Sequence, residues 1–313
     1  MSALVEIVLP VFVVIGFGYL VRWRQILRDD AINGLMTFAQ SVAIPCLLFL
    51  AIARLDLSAE FDLSLLSSFY TGAIAGFLAG LLGARFLFAR PWPDAVAFGF
   101  VSLFSNSLLL GLPITERAFG PDALAGNYAI ISIHAPVCYA IGITAMEIAR
   151  AQGSSAFDTL RQIARTMVRN MLVMAIAAGF VVNLAQLALP GVIEEALSLL
   201  ARAALPTALF ALGGVLYRYR PEGDLRIVAF LCVVSLGLHP VITWGLGRSL
   251  GLDEDQFRSA VLTAASAPGI NAYIFANLYG VGKRVAATTV LVATALSILT
   301  VWGWLAALGA TGY

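Results

Sequence analysis

The sequence predicts an all-α polytopic membrane protein with about ten transmembrane helices. Composition and segmentation carry that expectation. Of the 313 residues, 60% are hydrophobic and only 12% are charged, whereas a soluble domain carries roughly 25% charged residues. A water-soluble fold of this length would lack the polar surface to cover its core, and lipid removes the conflict. The apolar residues fall into ten runs, each near the ~20 residues that a spanning helix needs. The formal net charge is +1, and no long basic or acidic tract occurs, so nothing points to nucleic acid as a partner. Cys46, Cys138 and Cys232 each stand alone in an apolar run and read as small core residues. No metal or cofactor is implied.

The first segment, 2–21, has neither a basic n-region nor a small-residue cleavage site, so it reads as a retained helix. The second, 31–53, carries Pro45. The third, 63–89, contains the small-residue run TGAIAGFLAG at 71–80, which permits close helix packing. The fourth, 94–119, and fifth, 123–149, hold most of the polar residues discussed below. A polar connection at 150–165 then divides the chain into halves, 1–150 and 166–313. Five further segments follow at 168–189, 195–217, 224–250, 256–279 and 284–308.

Positive charge sets the expected orientation, because cytoplasmic loops are enriched in Lys and Arg. One set of alternate connections holds 14 of the 19 Lys and Arg residues, including the 150–165 loop. That set is expected in the cytoplasm and both termini outside, in a bacterial inner membrane. The halves match at a nearly constant offset. Pro45 corresponds to Pro206 and Asp94 to Asp255, each 161 residues on, and Gly120 corresponds to Gly280, 160 on. Five helices is an odd number, so the second repeat is expected to enter the membrane inverted, a common transporter plan.

The chemistry concentrates in the fourth and ninth segments. The fourth reads FVSLFSNSLLLGLPITERAFG and the ninth LTAASAPGINAYIFANLYG. Asn106, Gly111 and Pro113 in one, and Pro268, Gly269 and Asn271 in the other, predict interrupted helices. Proline removes a backbone donor and clashes with the preceding turn. Glycine permits the dihedrals of an unwound stretch. Freed backbone is tolerated at membrane depth only where it lines a cavity or is buried in protein. Repeat-paired interruptions therefore point to a transport site. A half-helix starting at midplane presents unpaired N–H groups and a partial positive charge, which suits a small organic anion. Ser105, Asn106, Ser107, Ser266 and Asn271 add neutral donors.

The motifs SNSLLLGLPI and APGINAYIFA resemble those of the auxin efflux carrier family, which includes the plant PIN-formed carriers and bacterial permeases assigned to malonate. The resemblance covers all ten segments. It implies crossed fourth and ninth helices and a homodimer. It also implies a scaffold of helices 1, 2, 6 and 7 and a transport domain of helices 3–5 and 8–10 that moves as an elevator. Asn106 matches the asparagine of the plant fourth-helix pattern. In the fifth segment, SIHAPVCYAIGITAMEIAR places His134 where the plant carriers have Gln and Tyr139 on their Tyr, both lining the auxin site. His-for-Gln is a departure from the plant pattern, and Pro268 directly preceding Gly269 departs from bacterial relatives, which often have a residue between the two.

His134 could hydrogen-bond a carboxylate or carry a proton, since imidazole titrates near neutrality. The bland alternative is a neutral ring bonded to a carbonyl. His239, beside Pro240, reads as structural. Secondary transport of a small carboxylate is the leading expectation. A sodium-coupled symporter of the bile-acid type, which shares the inverted five-helix plan, is the nearest rival. An intramembrane enzyme would need paired spanning aspartates, a Ser–His dyad or a metal cluster, and every Asp lies near a segment end.

Overall fold

The computed structural model describes residues 2–57, 61–150, 161, 164–165, 168, 170–219 and 221–309. The 150–165 connection expected from sequence lies almost wholly outside the described residues. The described chain is built of helices: α1 (Ser2–Trp23), α2 (Asp29–Arg54), α3 (Leu63–Phe86), α4 (Trp92–Leu103), α5 (Leu112–Phe119), α6 (Ala125–Arg150), α7 (Met171–Leu184), α8 (Gly191–Leu216), α9 (Leu225–Ser249), α10 (Glu254–Ala265), α11 (Ile270–Tyr279) and α12 (Lys283–Ala307). Helix occupies every one of the ten apolar segments. Among the described residues, seven helices are long and apolar enough to cross a membrane: α1 over Glu6–Trp23, α2, α3, α6, α8, α9 and α12. α7 is a shorter apolar helix, and the fourth and ninth segments are each split in two, as α4/α5 and α10/α11.

Three of the prolines follow a local change of helical winding. π turns occupy Ala39–Ala43, Ser107–Gly111 and Val234–Leu238, just ahead of Pro45, Pro113 and Pro240. In each, the residue preceding proline donates its N–H five residues back, Ile44 to Ala39, Leu112 to Ser107 and His239 to Val234. Proline cannot donate and its ring crowds the carbonyl four residues earlier. The wider turn relieves both without ending the helix.

The chain divides into two compact units: Met1–Leu9, Phe61–Arg161 and Tyr219–Tyr313 form unit 1, and Pro10–Glu60 and Gln162–Arg218 form unit 2. In unit 2, α1 and α8 approach backbone to backbone. A Cβ on Gly18 would land on the Phe210 carbonyl, and one on Gly213 on the Ile15 carbonyl. Asn183 of α7 donates its Nδ2 to the carbonyls of Ile52, Ala53 and Leu55 at 2.9, 3.1 and 2.8 Å, satisfying acceptors that the end of α2 leaves open. Arg22 and Asp29 close the α1–α2 connection with a two-pronged ion pair at 2.7 and 2.8 Å.

In unit 1, α3 is the helix on which α4 and α9 pack. A Cβ at Gly72 would meet His239 and Thr243, one at Gly76 the Ser102 carbonyl, and one at Gly80 the Ser102 hydroxyl. Only a bare helix face lets both neighbours come this close. Arg90 pairs with Asp224 at 3.1 Å, and Arg117 donates to the carbonyls of Ile7 and Glu6 at 3.0 and 2.7 Å.

Candidate functional site

The two interruptions meet inside unit 1. α4 stops at Leu103, and Phe104, Ser105 and Asn106 run extended or irregular before the π turn. α10 stops at Ala265, and Ser266 to Gly269 run extended before α11. Ser105 and Pro268 form an isolated antiparallel bridge. Asn106 N–H donates to the Ala267 carbonyl at 2.7 Å, and Gly269 N–H to the Phe104 carbonyl at 2.9 Å. Each unwound strand thus satisfies the other, which is the internal pairing that backbone at membrane depth requires.

The interruption in the fourth segment falls at Phe104–Asn106, upstream of where Gly111 and Pro113 had placed it. Gly111 ends the π turn and Pro113 sits at the start of α5, both in right-handed helix. Gly111 instead allows close approach, since a Cβ there would lie 3.2 Å from Ser266 Oγ. Gly269 has φ −75° and ψ 163°, an extended conformation open to any residue. Pro268 does lie in the interruption, where the bridge asks no N–H of it.

Two helix starts open from the point where the two interruptions meet. Asn106 caps the first, its Oδ1 accepting from Leu109 N–H at 3.3 Å, and Gly269 caps the second with no side chain. The first N–H groups of each start have no intrahelical acceptor, and the helix dipole adds positive potential there. Asn271, in the first turn of α11, accepts from the Tyr139 hydroxyl at 3.3 Å through its Oδ1. In both asparagines the amide oxygen is held by a neighbour and the NH2 group remains to donate. Ser105 is buried with its hydroxyl unpartnered among the described residues, and Ser107 is also buried. Ser266 is turned back onto its own helix, donating to Leu262 at 3.0 Å.

His134 and Tyr139 both reach this region from α6. The His134 ring is 2% exposed and stands edge-on to Phe104 at 4.7 Å between centroids. The backbone of Ser105 lies within its reach, and Cys138 Sγ approaches its ring nitrogens at 3.7 and 3.8 Å. The Tyr139 ring joins an aromatic wall of Phe100, Phe104 and Phe275, in which Phe100 and Phe275 stack at 4.0 Å. Below this meeting point, Asn127 of α6 donates to Thr263 of α10 at 2.8 Å and Thr115 of α5 at 3.4 Å. That clamp ties one half of each interrupted helix to α6.

Ser105, Asn106, Ser107, His134, Tyr139, Gly269 and Asn271 therefore share one neighbourhood. The aromatic wall and Asn127 escaped sequence reasoning. A phenylalanine in an apolar helix gives no contrast, but Asn127, polar within a spanning segment, was a signal to follow. So was His239, which lies 5.0 Å from Phe69, while Phe69 lies 5.6 Å from His134. Among the described residues, no group of three or more His, Cys, Asp or Glu could hold a metal ion.

Comparison with known proteins adds lineage to this geometry. The profile of the membrane transport protein family matches residues 3–305. A protein of Rhizobium meliloti, named as a candidate malonate transporter, is 27% identical over 97% of this chain and 96% of its own length. An uncharacterised transporter of Methanothermobacter thermautotrophicus is 26% identical over 96% of each chain. Auxin efflux carrier component 5 of Arabidopsis thaliana is 22% identical over 97% of this chain and 96% of its own.

Proposed function

The chain belongs to the membrane transport protein (auxin efflux carrier) family, and from that premise we propose that it is a secondary transporter of a small organic anion, a malonate-like or auxin-like carboxylate. The observation that carries this reading is the paired interruption at Ser105 and Pro268. It gathers two capped helix starts, the buried amide of Asn106, the half-buried amide of Asn271, and the buried rings of His134 and Tyr139 in one place. Every one of these side chains can donate a hydrogen bond, and none brings a fixed charge. A carboxylate fits such a donor set through charge-assisted hydrogen bonds. A cation would find few free acceptors, since both asparagine oxygens are engaged.

In this reading the ten apolar segments are two inverted five-helix repeats. The site travels with unit 1, as the transport domain, while unit 2 serves as scaffold and homodimer contact. Both termini face the outside of a bacterial inner membrane. The relatives are named for malonate and for auxin, and the sodium-coupled bile-acid alternative finds no support among them.

Proteoliposomes preloaded with malonate test the reading. Labelled malonate should accumulate by counterflow with potassium as the only alkali cation. Failure of malonate, succinate and indole-3-acetate to exchange, with taurocholate exchanging only in sodium, would replace it with the bile-acid reading.

A further inference from the structure

The protein has two histidines, and the meeting point of the interruptions uses one of them. The other, His239, follows the π turn of α9 and is 1% exposed. The Phe69 ring of α3 neighbours both imidazoles, its centroid 5.6 Å from that of His134 and 5.0 Å from that of His239. The Phe69 backbone is in hydrogen-bond reach of the His239 ring. An N–H donated there leaves Nε2 with its lone pair, and Nε2 has no partner among the described residues. Ser235 Oγ, one turn earlier on α9, is buried and unpartnered as well, as are Ser102 Oγ on α4 and Ser105 Oγ at the meeting point. α3 joins these helices: its glycine face meets His239 at Gly72, the Ser102 backbone and Val234 at Gly76, and the Ser102 hydroxyl at Gly80. Four polar atoms without a hydrogen-bond partner among the described residues thus lie on α9, on α4 and just past the end of α4, and α3 packs against both helices. Buried polar groups without partners are costly and rare, and at membrane depth they mark ion or proton pathways.

We propose that His239 is a second proton-accepting site of this transporter, linked to the meeting point by a hydrated seam through Ser235, Ser102 and Ser105, and loaded when the anion binds. The inference rests on the anion-carrier reading. A dicarboxylate at the meeting point would bring two negative charges into a place with no fixed positive one. Two imidazoles, each taking one proton onto a ring nitrogen from water at one membrane surface and returning it at the other, would neutralise that charge.

The titratable groups around His239 are His134 of α6, also a neighbour of Phe69, with Tyr70 of α3 and Cys138 of α6 beside that imidazole. Cys232 lies on α9 itself. The charged residues of the other helices packed against α9 lie toward their ends. These are Arg85 of α3, Asp94 of α4, Glu254, Asp255 and Arg258 of α10, and Lys283 and Arg284 of α12, with Arg226 and Arg248 at the ends of α9. No carboxylate among the described residues sits beside the ring, so the bound anion supplies the counter-charge. Without it, a proton on one imidazole opposes a proton on the other.

The experiment is malonate binding to the full chain in nanodiscs by calorimetry from pH 5.5 to 8. Two linked protons make affinity fall about 100-fold per pH unit, and one makes it fall about tenfold. The unsubstituted protein should approach the steeper dependence, and His239→Gln should drop to the shallower one while still binding malonate at low pH. An unchanged steepness in His239→Gln overturns the proposal. Should that variant fail to fold, 15N-histidine NMR of the unsubstituted protein decides. His239 should be imidazolium with malonate bound at pH 6.5, and a neutral ring there overturns the proposal. If malonate binds at no pH, the substrate reading fails on its own. The same NMR measurement with succinate and with indole-3-acetate at pH 6.5 then judges His239, an imidazolium with either anion supporting the inference and a neutral ring with both overturning it.

Discussion

Asn106 and Asn271 each spend an amide oxygen on a neighbour, Leu109 N–H in one and the Tyr139 hydroxyl in the other. That leaves two NH2 groups oriented without any charged residue. A hydrogen bond to a charged group is worth roughly 1.5–3 kcal/mol, or about 10- to 150-fold in affinity. Asn106→Ala and Asn271→Ala should each weaken malonate binding by that factor while the protein stays folded, and wild-type affinity in both would move the site elsewhere. His134 leads to a pH effect with a definite sign. If its imidazolium pairs with the carboxylate, the bound anion favours the protonated ring, so binding is strongest at low pH and is lost as pH rises past the ring's titration in the complex. His134→Gln should bind more weakly at pH 6 with a flatter profile, and a profile of unchanged shape would remove proton linkage from this residue. These polar residues were readable from sequence because each breaks an apolar run. Phe100, Phe104 and Phe275, which enclose them, were not, since nothing in an apolar helix distinguishes a site-facing ring from a lipid-facing one.

At the scale of elements, proline and glycine marked the interrupted segments but misplaced one interruption. Pro113 sits in a helix that a π turn has already adjusted to receive it, as Pro45 and Pro240 do. The chain unwinds instead at Phe104–Asn106, where the Ala267 carbonyl and Gly269 N–H of the other segment offer replacement hydrogen bonds. That exchange is tertiary, so local propensity could not locate it. Helix positions were readable because lipid imposes length and apolarity together, whereas backbone-to-backbone packing was not. Gly16 and Gly18 look alike in sequence, yet a Cβ on Gly16 meets nothing within 4 Å and one on Gly18 strikes the Phe210 carbonyl. Overpacking costs about 1–3 kcal/mol, and a clash with backbone lies at the upper end or beyond. Gly18→Leu should therefore lower the midpoint of thermal unfolding by several degrees, with Gly16→Leu close to wild type. Equal behaviour of the two would show that α1 and α8 do not meet as described.

For the whole molecule, the arginine bias and the 161-residue offset lead to separate tests. With native cysteines removed, single cysteines at Ser2 and Phe157 should react with a membrane-impermeant maleimide from opposite faces, and labelling from one face would refute the orientation. The elevator reading demands more. The seven residues gathered at the meeting point belong to unit 1 by chain contacts alone, so a substrate held there has to travel with α3–α6 and α9–α12. Inverted repeats supply two states of similar energy, one open to each side, and an anion that binds both about equally shifts neither. Nitroxide labels at Leu82 of α3 and Ile148 of α6, both exposed, report depth in the bilayer through their accessibility to oxygen and to a water-soluble nickel chelate. Conditions that trap opposite-facing states should shift both labels in depth together. Labels at Phe17 of α1 and Val192 of α8, in unit 2 and likewise exposed, should keep theirs. If all four labels hold their depth while malonate is still exchanged, the carrier works by local gating around a stationary site.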